Sequence, residues 1–302
     1  MAITIRTIEE ADVERAGDVN FVAFYEVAVA HGLPPTVTAP AESRSYVRHL
    51  LRFDPLGGVV ATEDDGEVVG MAWVHPRGPV ATIGPLAVDP RARGRGIGRR
   101  LLEGCIERAG PSVPQVRLVQ ESFNILSLGL YLRTGFRVVA PLLELELAVG
   151  QPVAQPVVPA GFRIRAATGD DRARLVTRDA RAFGAPRPES IDLYLQRGHV
   201  LIAERGGVLA GYGLGIGFKS LAYLGSASAD DPETLQLLAT ALTSILSSRG
   251  FAVRTLVPAT DRRLVDGLTG LGFRVFRACH YMVRGGGTAP PPNYVLMNGD
   301  MM

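Results

Sequence analysis

From Asp89 to Leu102 the chain reads DPRARGRGIGRRLL. Gly94, Gly96 and Gly98 alternate with Arg93, Arg95 and Ile97, and Arg91, Arg99 and Arg100 flank them. Glycine leaves backbone N–H groups uncovered, and guanidinium forks match phosphate oxygens. Such a stretch suits the binding of a phosphate, most of all where a loop runs into a helix N-terminus. It is not a P-loop, because Arg99 follows Gly98 where that motif needs lysine. The dinucleotide fingerprint fits poorly too, since Arg99-Arg100-Leu101 offers no third glycine at the required offset. A solvated basic face or a nucleic-acid patch is the plainer reading. The interleaved glycines and the apolar flanks favour the phosphate site.

The elements that position this loop are legible. Ala81–Val88 is an apolar strand that stops at Asp89-Pro90, with Gly84-Pro85 marking a bulge or an edge inside it. After the loop, Ile97, Leu101, Leu102, Cys105, Ile106 and Ala109 share one helical face, which leaves Cys105 buried and inert. Before the strand come a β-type run at Ala2–Arg6 and a helix from about Ile8 through Glu26, with Thr7 and Glu10 spaced as a capping box. A second helix spans Ala41–Phe53, and strands Val59–Thr62 and Val68–His75 are joined by Asp64-Asp65-Gly66, a hairpin signal. After the helix come a strand at Val116–Val119, a helix at Ile125–Arg133, and closing strands at Gly135–Val139 and Leu142–Leu147.

Arg93-Gly94-Arg95-Gly96-Ile97-Gly98 resembles the diphosphate loop of the GNAT N-acetyltransferase superfamily, Arg/Gln-x-x-Gly-x-Gly/Ala, and the Val88-Asp89-Pro90 lead-in and Leu101-Leu102 match as well. Ala92 departs from it, since that position often holds an aromatic. A second, separate stretch agrees: Phe123-Asn124, Ser127 and Leu130-Tyr131 resemble a subgroup reading FN-x-x-S-x-x-LY. The resemblance implies acetyl-CoA as co-substrate, no metal, and direct transfer of an acetyl group to an amine. By resemblance, Leu86, Ala87 and Val88 supply backbone contacts to the pantetheine arm, in a strand splayed from its neighbour. Arg93, Gly94, Arg95, Gly96, Ile97, Gly98 and Arg99 hold the diphosphate, and Asn124 contacts the cofactor. Asn124 also suits the cap of the helix that follows it. Tyr131, four residues before Gly135-Phe136, is the expected acid for the departing thiolate; its plainer reading is a half-buried core residue. Many members place a basic glutamate on the strand before the loop, but Thr82–Val88 has none. Glu121, His75 and a chain of waters stay open as the base, although an exposed strand-end histidine is the commoner role for His75.

Past Leu147 the stretch VGQPVAQPVVPA, with its three prolines, is a semi-rigid linker. The order of elements then begins again. RTIEEADVERAGDV at Arg6 returns as RAATGDDRARLVTR at Arg165, and VVATEDDGEVVGMAW at Val59 as VLIAERGGVLAGYGL at Val200. ATIGPLAVDP at Ala81 returns as AYLGSASADDP at Ala222, and YLRTGFRVV at Tyr131 as LTGLGFRVF at Leu268. The expected class is therefore α/β, two tandem GNAT-like domains, each a mostly antiparallel twisted sheet flanked by helices. Expected limits are 1–148 for the catalytic copy, 149–161 for the linker, 162–284 for a degenerate copy and 285–302 for a tail whose Tyr294–Met297 could dock as a strand. In the second copy Asp230, Asp231 and Glu233 stand where the arginines stood, which would repel a diphosphate, and Leu268 replaces the phenol. Mycothiol synthases are tandem members that carry the catalytic copy second, so the residues do not point to that activity.

At 302 residues, 47% hydrophobic and 21% charged, the chain has room for two buried cores. A net charge of +2 argues against a protein built around nucleic acid, and Lys219 is the only lysine. Two distant cysteines give neither a disulfide framework nor metal spacing. No apolar signal core or membrane-length run appears, so the expectation is a cytoplasmic protein, monomer or homodimer. Its expected partner is a small-molecule or peptide amine. The alternative is a non-catalytic acyl-CoA sensor.

Overall fold

The computed structural model describes residues 2–296. The chain forms two compact units. One runs to Arg137 and takes in Val283–Gly287; the other comprises Val138–Met282 and the segment from Thr288. The division falls between Arg137 and Val138, inside a strand, rather than in the proline-rich stretch that the sequence marks as the linker.

The first unit contains β1 (Thr4–Thr7), α1 (Val13–Ala30), α2 (Pro40–Phe53), β2 (Gly58–Thr62), β3 (Val68–Arg77), β4 (Val80–Val88), α3 (Ile97–Ala109), β5 (Gln115–Glu121) and α4 (Ile125–Arg133). Its strands lie in the order β1-β2-β3-β4-β5. All neighbours pair antiparallel except β4 and β5, which are parallel. β3 reads as a continuous apolar run because helices cover both of its faces. On one face α1 and α2 bury Val13, Val19, Val47 and Leu50 against Met71 and Trp73. On the other, α3 lies so close that a Cβ on Gly70 would stand 2.9 Å from Leu101.

α1 begins and ends later than its periodicity suggests. Residues Glu10–Asp12 form a 3-10 turn first. The expected Thr7–Glu10 cap is not the one used: Asp12 accepts the Glu9 N–H at 2.8 Å and pairs with Arg6 at 2.7 Å. The second copy repeats this, with Asp171 accepting the Thr168 N–H at 2.8 Å and pairing with Arg165 at 2.7 Å. The two expected closing strands are one, β6 (Arg137–Leu147), which carries on through Pro141.

The second unit takes β6 from Val138 onward, then β7 (Phe162–Ala166), α5 (Arg172–Phe183), α6 (Pro188–Arg197), β8 (His199–Arg205) and β9 (Val208–Phe218). These lead into β10 (Leu221–Ala229), α7 (Pro232–Ser248), β11 (Ala252–Pro258), α8 (Arg262–Gly270), β12 (Arg274–Gly285) and β13 (Tyr294–Val295). The order β6-β11-β10-β9-β8-β7 mirrors the first unit, with β10 and β11 as the parallel pair. Leu235, Leu238, Leu242 and Leu246 of α7 pack on Ala222, Leu224, Val253 and Val257. Neither unit is built from one copy alone. β6 follows the first copy in sequence yet pairs with β11 from Leu142↔Pro258 to Leu147↔Val253. The end of β12 serves the first unit, where Gly286 donates its N–H to the Pro114 carbonyl at 2.9 Å and Arg137 donates to the Gly285 carbonyl at 2.9 Å.

Candidate active site

β4 and β5 run side by side only from Val80↔Gln115 to Thr82↔Arg117. Beyond that register the two strands part and leave a wedge. A bulge sets the parting: Ala72 faces Leu86 and Val74 faces Ile83, so β4 carries one residue more than β3 at Gly84-Pro85. The Asp89 N–H donates to the Val69 carbonyl at 2.9 Å. Backbone groups alternate edges along a strand, so the N–H groups of Leu86 and Val88 face the wedge, while those of Ala87 and Asp89 face β3.

At the open end of the wedge, Gly94 has φ +80° and Gly96 φ +76°, left-handed conformations that suit glycine. A Cβ on either would meet nothing within 4 Å. Gly96 is the N-cap of α3 and has no side chain to cap with; the first bond back to it is Arg100 N–H to Gly96 O at 3.2 Å. The N–H groups of Ile97, Gly98 and Arg99 therefore have no partner within the helix and aim outward with the positive end of the dipole. A Cβ on Gly98 would come within 3.4 Å of Leu130, 3.7 Å of Val88 and 3.9 Å of Leu86. The bare glycine thus keeps the mouth of the wedge open between β4 and α4. These features fit a diphosphate joined to an extended arm.

The arginines contribute less than their number suggests. Arg91 donates to Asp89 at 2.7 Å, Arg95 pairs with Glu63, and Arg99 pairs with Glu103 at 2.8 Å. The Arg91 bonds, with burial opposing, hold the Asp89 carboxyl far below its usual range. Asp89 also binds Arg15 at 2.7 Å, and so anchors the start of the loop to α1. Among the described residues, Arg93 is held only by long contacts, 3.8 Å to Glu26 and 3.4 Å to the Ala23 carbonyl.

A family model described as "Acetyltransferase (GNAT) family" matches residues 24–136, and one described as "Acetyltransferase (GNAT) domain" matches residues 167–296. The chain belongs to the GNAT acetyltransferase superfamily. It is similar to a mycothiol acetyltransferase of Nocardioides sp., 33% identical over 152 residues, 44% of this chain and 50% of that protein. The chain thus spans about half the length of that relative. A solved putative acetyltransferase from Pyrococcus horikoshii superposes with a TM-score of 0.77 at 20% identity, covering 99% of this chain and 95% of that one. A tandem GNAT protein from the clavulanic acid biosynthesis pathway superposes at 0.65 with 19% identity, covering 95% of this chain and 100% of that one. These two likenesses are of fold.

Leu86 and Val88 turn to the wedge and lie beside Gly98 of the loop, whereas Ala87 is paired with Met71 of β3. Tyr131 lies buried on α4, one residue past the Leu130 that meets Gly98, with its ring 5.8 Å from that of Phe136. Asn124 caps α4, its Oδ1 accepting the Ser127 N–H at 3.1 Å. Glu121 ends β5, past the last residue paired to β4. His75 is not the exposed strand-end residue of the plain reading; it is 2% exposed. Its Nδ1 lies 2.5 Å from Asp54 Oδ2 and its Nε2 3.1 Å from the Gly84 carbonyl. Both ring nitrogens are thus engaged with the protein, one at a carboxylate and one at a backbone carbonyl. His75 holds the bulge of β4 in place instead.

Sequence reading missed two groups here. Gln120, 2% exposed, donates to the Asn124 carbonyl at 2.8 Å and so ties β5 to the start of α4. Asp54 gathers His75 and, at 2.8 Å, both terminal nitrogens of Arg77. The only signal for either was a polar residue inside an apolar pattern. Burial alone would raise the Asp54 carboxyl, but the bonds from His75 and Arg77 outweigh it and bring it down to about 2. An unfolded aspartate titrates near ~3.9. The depressed value means that Asp54 stabilises the first unit above that pH, and that this stability is lost as pH falls toward the folded value. Asp54→Asn should flatten the acid limb of thermal stability between about pH 4 and pH 2. Circular dichroism melts check this, and parallel limbs for variant and wild type would contradict it.

The second unit keeps the wedge but not its chemistry. Asp231, at the N-cap of α7, accepts the Thr234 N–H at 2.8 Å and so spends on its own helix the kind of donor that α3 leaves open. Leu268, at the position of Tyr131, is fully buried. Among the described residues no helix is long and apolar enough to cross a membrane.

Proposed function

We propose that the first unit moves an acetyl group from acetyl-CoA directly to a primary amine. The observation that carries this reading is the wedge between β4 and β5, with bare N–H groups along one edge and an uncapped helix start at its mouth. The co-substrate supplies an acyl carbon already activated as a thioester. The rest falls to this chain. The N–H groups of Ile97, Gly98 and Arg99 hold the diphosphate, and Arg93, tethered only by the long contacts given above, turns toward it. The Val88 N–H fixes the arm. The Leu86 N–H donates to the acyl oxygen, where negative charge grows as the amine attacks. Tyr131 gives its proton to the departing sulfur, and Glu121, directly or through water, takes one from the amine. Asn124 acts as a cap that fixes α4, and His75 as a strut beneath Gly84.

The acceptor is a small-molecule or peptide amine. The likeness to a protein named mycothiol acetyltransferase favours a mycothiol-related amine as a specific case. The motif-bearing copy stands first here, and this favours a broader search. The test is an amine panel read by release of free thiol from acetyl-CoA. Release that depends on an added amine supports transfer. Tight acetyl-CoA binding with no amine-dependent release would favour the sensor reading instead.

A further inference from the structure

The second unit's wedge is filled by the chain's own tail. β10 and β11 pair from Leu221↔Ala252 to Leu224↔Thr255 and then part, after a bulge at Gly225-Ser226 that matches Gly84-Pro85 of the first unit. Into the gap comes β13. It runs antiparallel to β10, with Val295 opposite Ala227 and Tyr294 opposite Ser228. Its other edge reaches β11, where the Leu296 N–H donates to the Leu256 carbonyl at 3.0 Å.

The correspondence holds residue by residue. The repeat aligns Ala227, Ser228 and Ala229 with Leu86, Ala87 and Val88. Asp230 donates its N–H to the Ala210 carbonyl at 2.9 Å, as Asp89 does to Val69. Ala229 therefore faces the wedge as Val88 does, and its N–H donates to the Asn293 carbonyl at 3.2 Å. The side chains have adapted to a permanent occupant: Val295 is 0% and Leu296 2% exposed. The Tyr294 hydroxyl accepts from Arg187 at 3.3 Å. Arg187 is itself held by Asp179 at 2.7 Å, and Asp179 accepts the Tyr212 hydroxyl at 2.6 Å. Breaking into such a buried charged network is costly, so the wedge is built for this tyrosine.

We propose that the second unit's wedge is a peptide-binding slot whose resident ligand is Asn293–Leu296, the strand taking the line that acyl-CoA takes in the first unit. The comparison of lines rests on the reading given for the first unit; the peptide slot does not. By adding a strand, the tail satisfies main-chain groups on both sides of the gap. The second unit is thereby closed to acyl-CoA, and the chain takes one acyl-CoA per molecule.

The test uses the full-length chain and the synthetic peptide of residues 290–296, PPPNYVL. Val295→Asp places a charge at a fully buried position and should expel the tail. Amide exchange at Ala229 and Leu296 should then rise by at least about 100-fold, and the peptide should bind the variant while failing to bind wild type. Equal peptide binding to both chains, or unchanged exchange at both amides, overturns the proposal. Should the variant not fold, exchange in wild type decides: protection of Ala229 and Leu296 equal to that of the β10 core supports the slot, and exchange at the rate of an open chain overturns it. None of these readouts involves acyl-CoA, so the slot and the transferase reading fail separately.

Discussion

Gly98→Asp should weaken acetyl-CoA binding by about 100- to 1,000-fold while leaving the fold as stable as wild type. The two halves of that expectation have separate causes. Gly98 has ordinary helical backbone, and a Cβ there meets Leu130 at 3.4 Å, Val88 at 3.7 Å and Leu86 at 3.9 Å, contact distances that accommodate the side chain. A carboxylate in the first turn of α3 also suits the helix dipole, by about 0.3–1 kcal/mol. The same carboxylate would sit beside a diphosphate, where repulsion of about 4 kcal/mol per charge pair is expected at close range. Titration calorimetry and a thermal melt on one sample check both halves. A melt that holds with affinity unchanged would remove the α3 cradle from the account. As a control, Glu233→Arg in the equivalent turn of the second unit should create no second binding site, because Asp231 still caps that helix and the tail still lies in the wedge.

Tyr131→Phe should lower turnover by about 100-fold or more, the range typical of a lost general acid, with acetyl-CoA affinity within about threefold of wild type. Phenylalanine keeps the ring that packs 5.8 Å from Phe136 and loses only the hydroxyl. A tyrosine that merely fills the core would cost stability and leave turnover within about threefold. Steady-state rates, set beside a binding titration, separate these outcomes.

How much of this was legible in the residues depends on distance along the chain. The glycine loop was plain, because the left-handed turns at Gly94 and Gly96 and the helix start at Ile97 are local matters. The repeat was plain as well, though the Arg6–Asp12 and Arg165–Asp171 pairs that it shares were not foreseen, the cap having been read at Thr7 and Glu10. The role of the arginines was not. Five cations beside three glycines suggest charge aimed at phosphate, yet Arg95 finds Glu63 and Arg91 finds Glu67 and Asp89. Glu63 and Glu67 lie far upstream, and no periodicity places them. His75 was misjudged for the same reason, since Asp54 reaches it from the end of α2. Strand pairing is the hardest to foresee. The residues mark strands at Gly135–Val139 and Leu142–Leu147 but do not show that they run on as β6 or that the partner is β11. The strand read at Tyr294–Met297 is there at Tyr294–Val295, Met297 lying outside the described residues, and nothing local assigns it to the gap between β10 and β11.

The most direct test of the central claim is a crystal structure of the full chain grown with acetyl-CoA. The account predicts one molecule per chain, its diphosphate against Gly94–Arg99, its arm along Leu86–Val88 and the Tyr131 hydroxyl turned to the sulfur. Ligand density in the second unit's wedge, or a Tyr131 hydroxyl turned away into packed core, would contradict it.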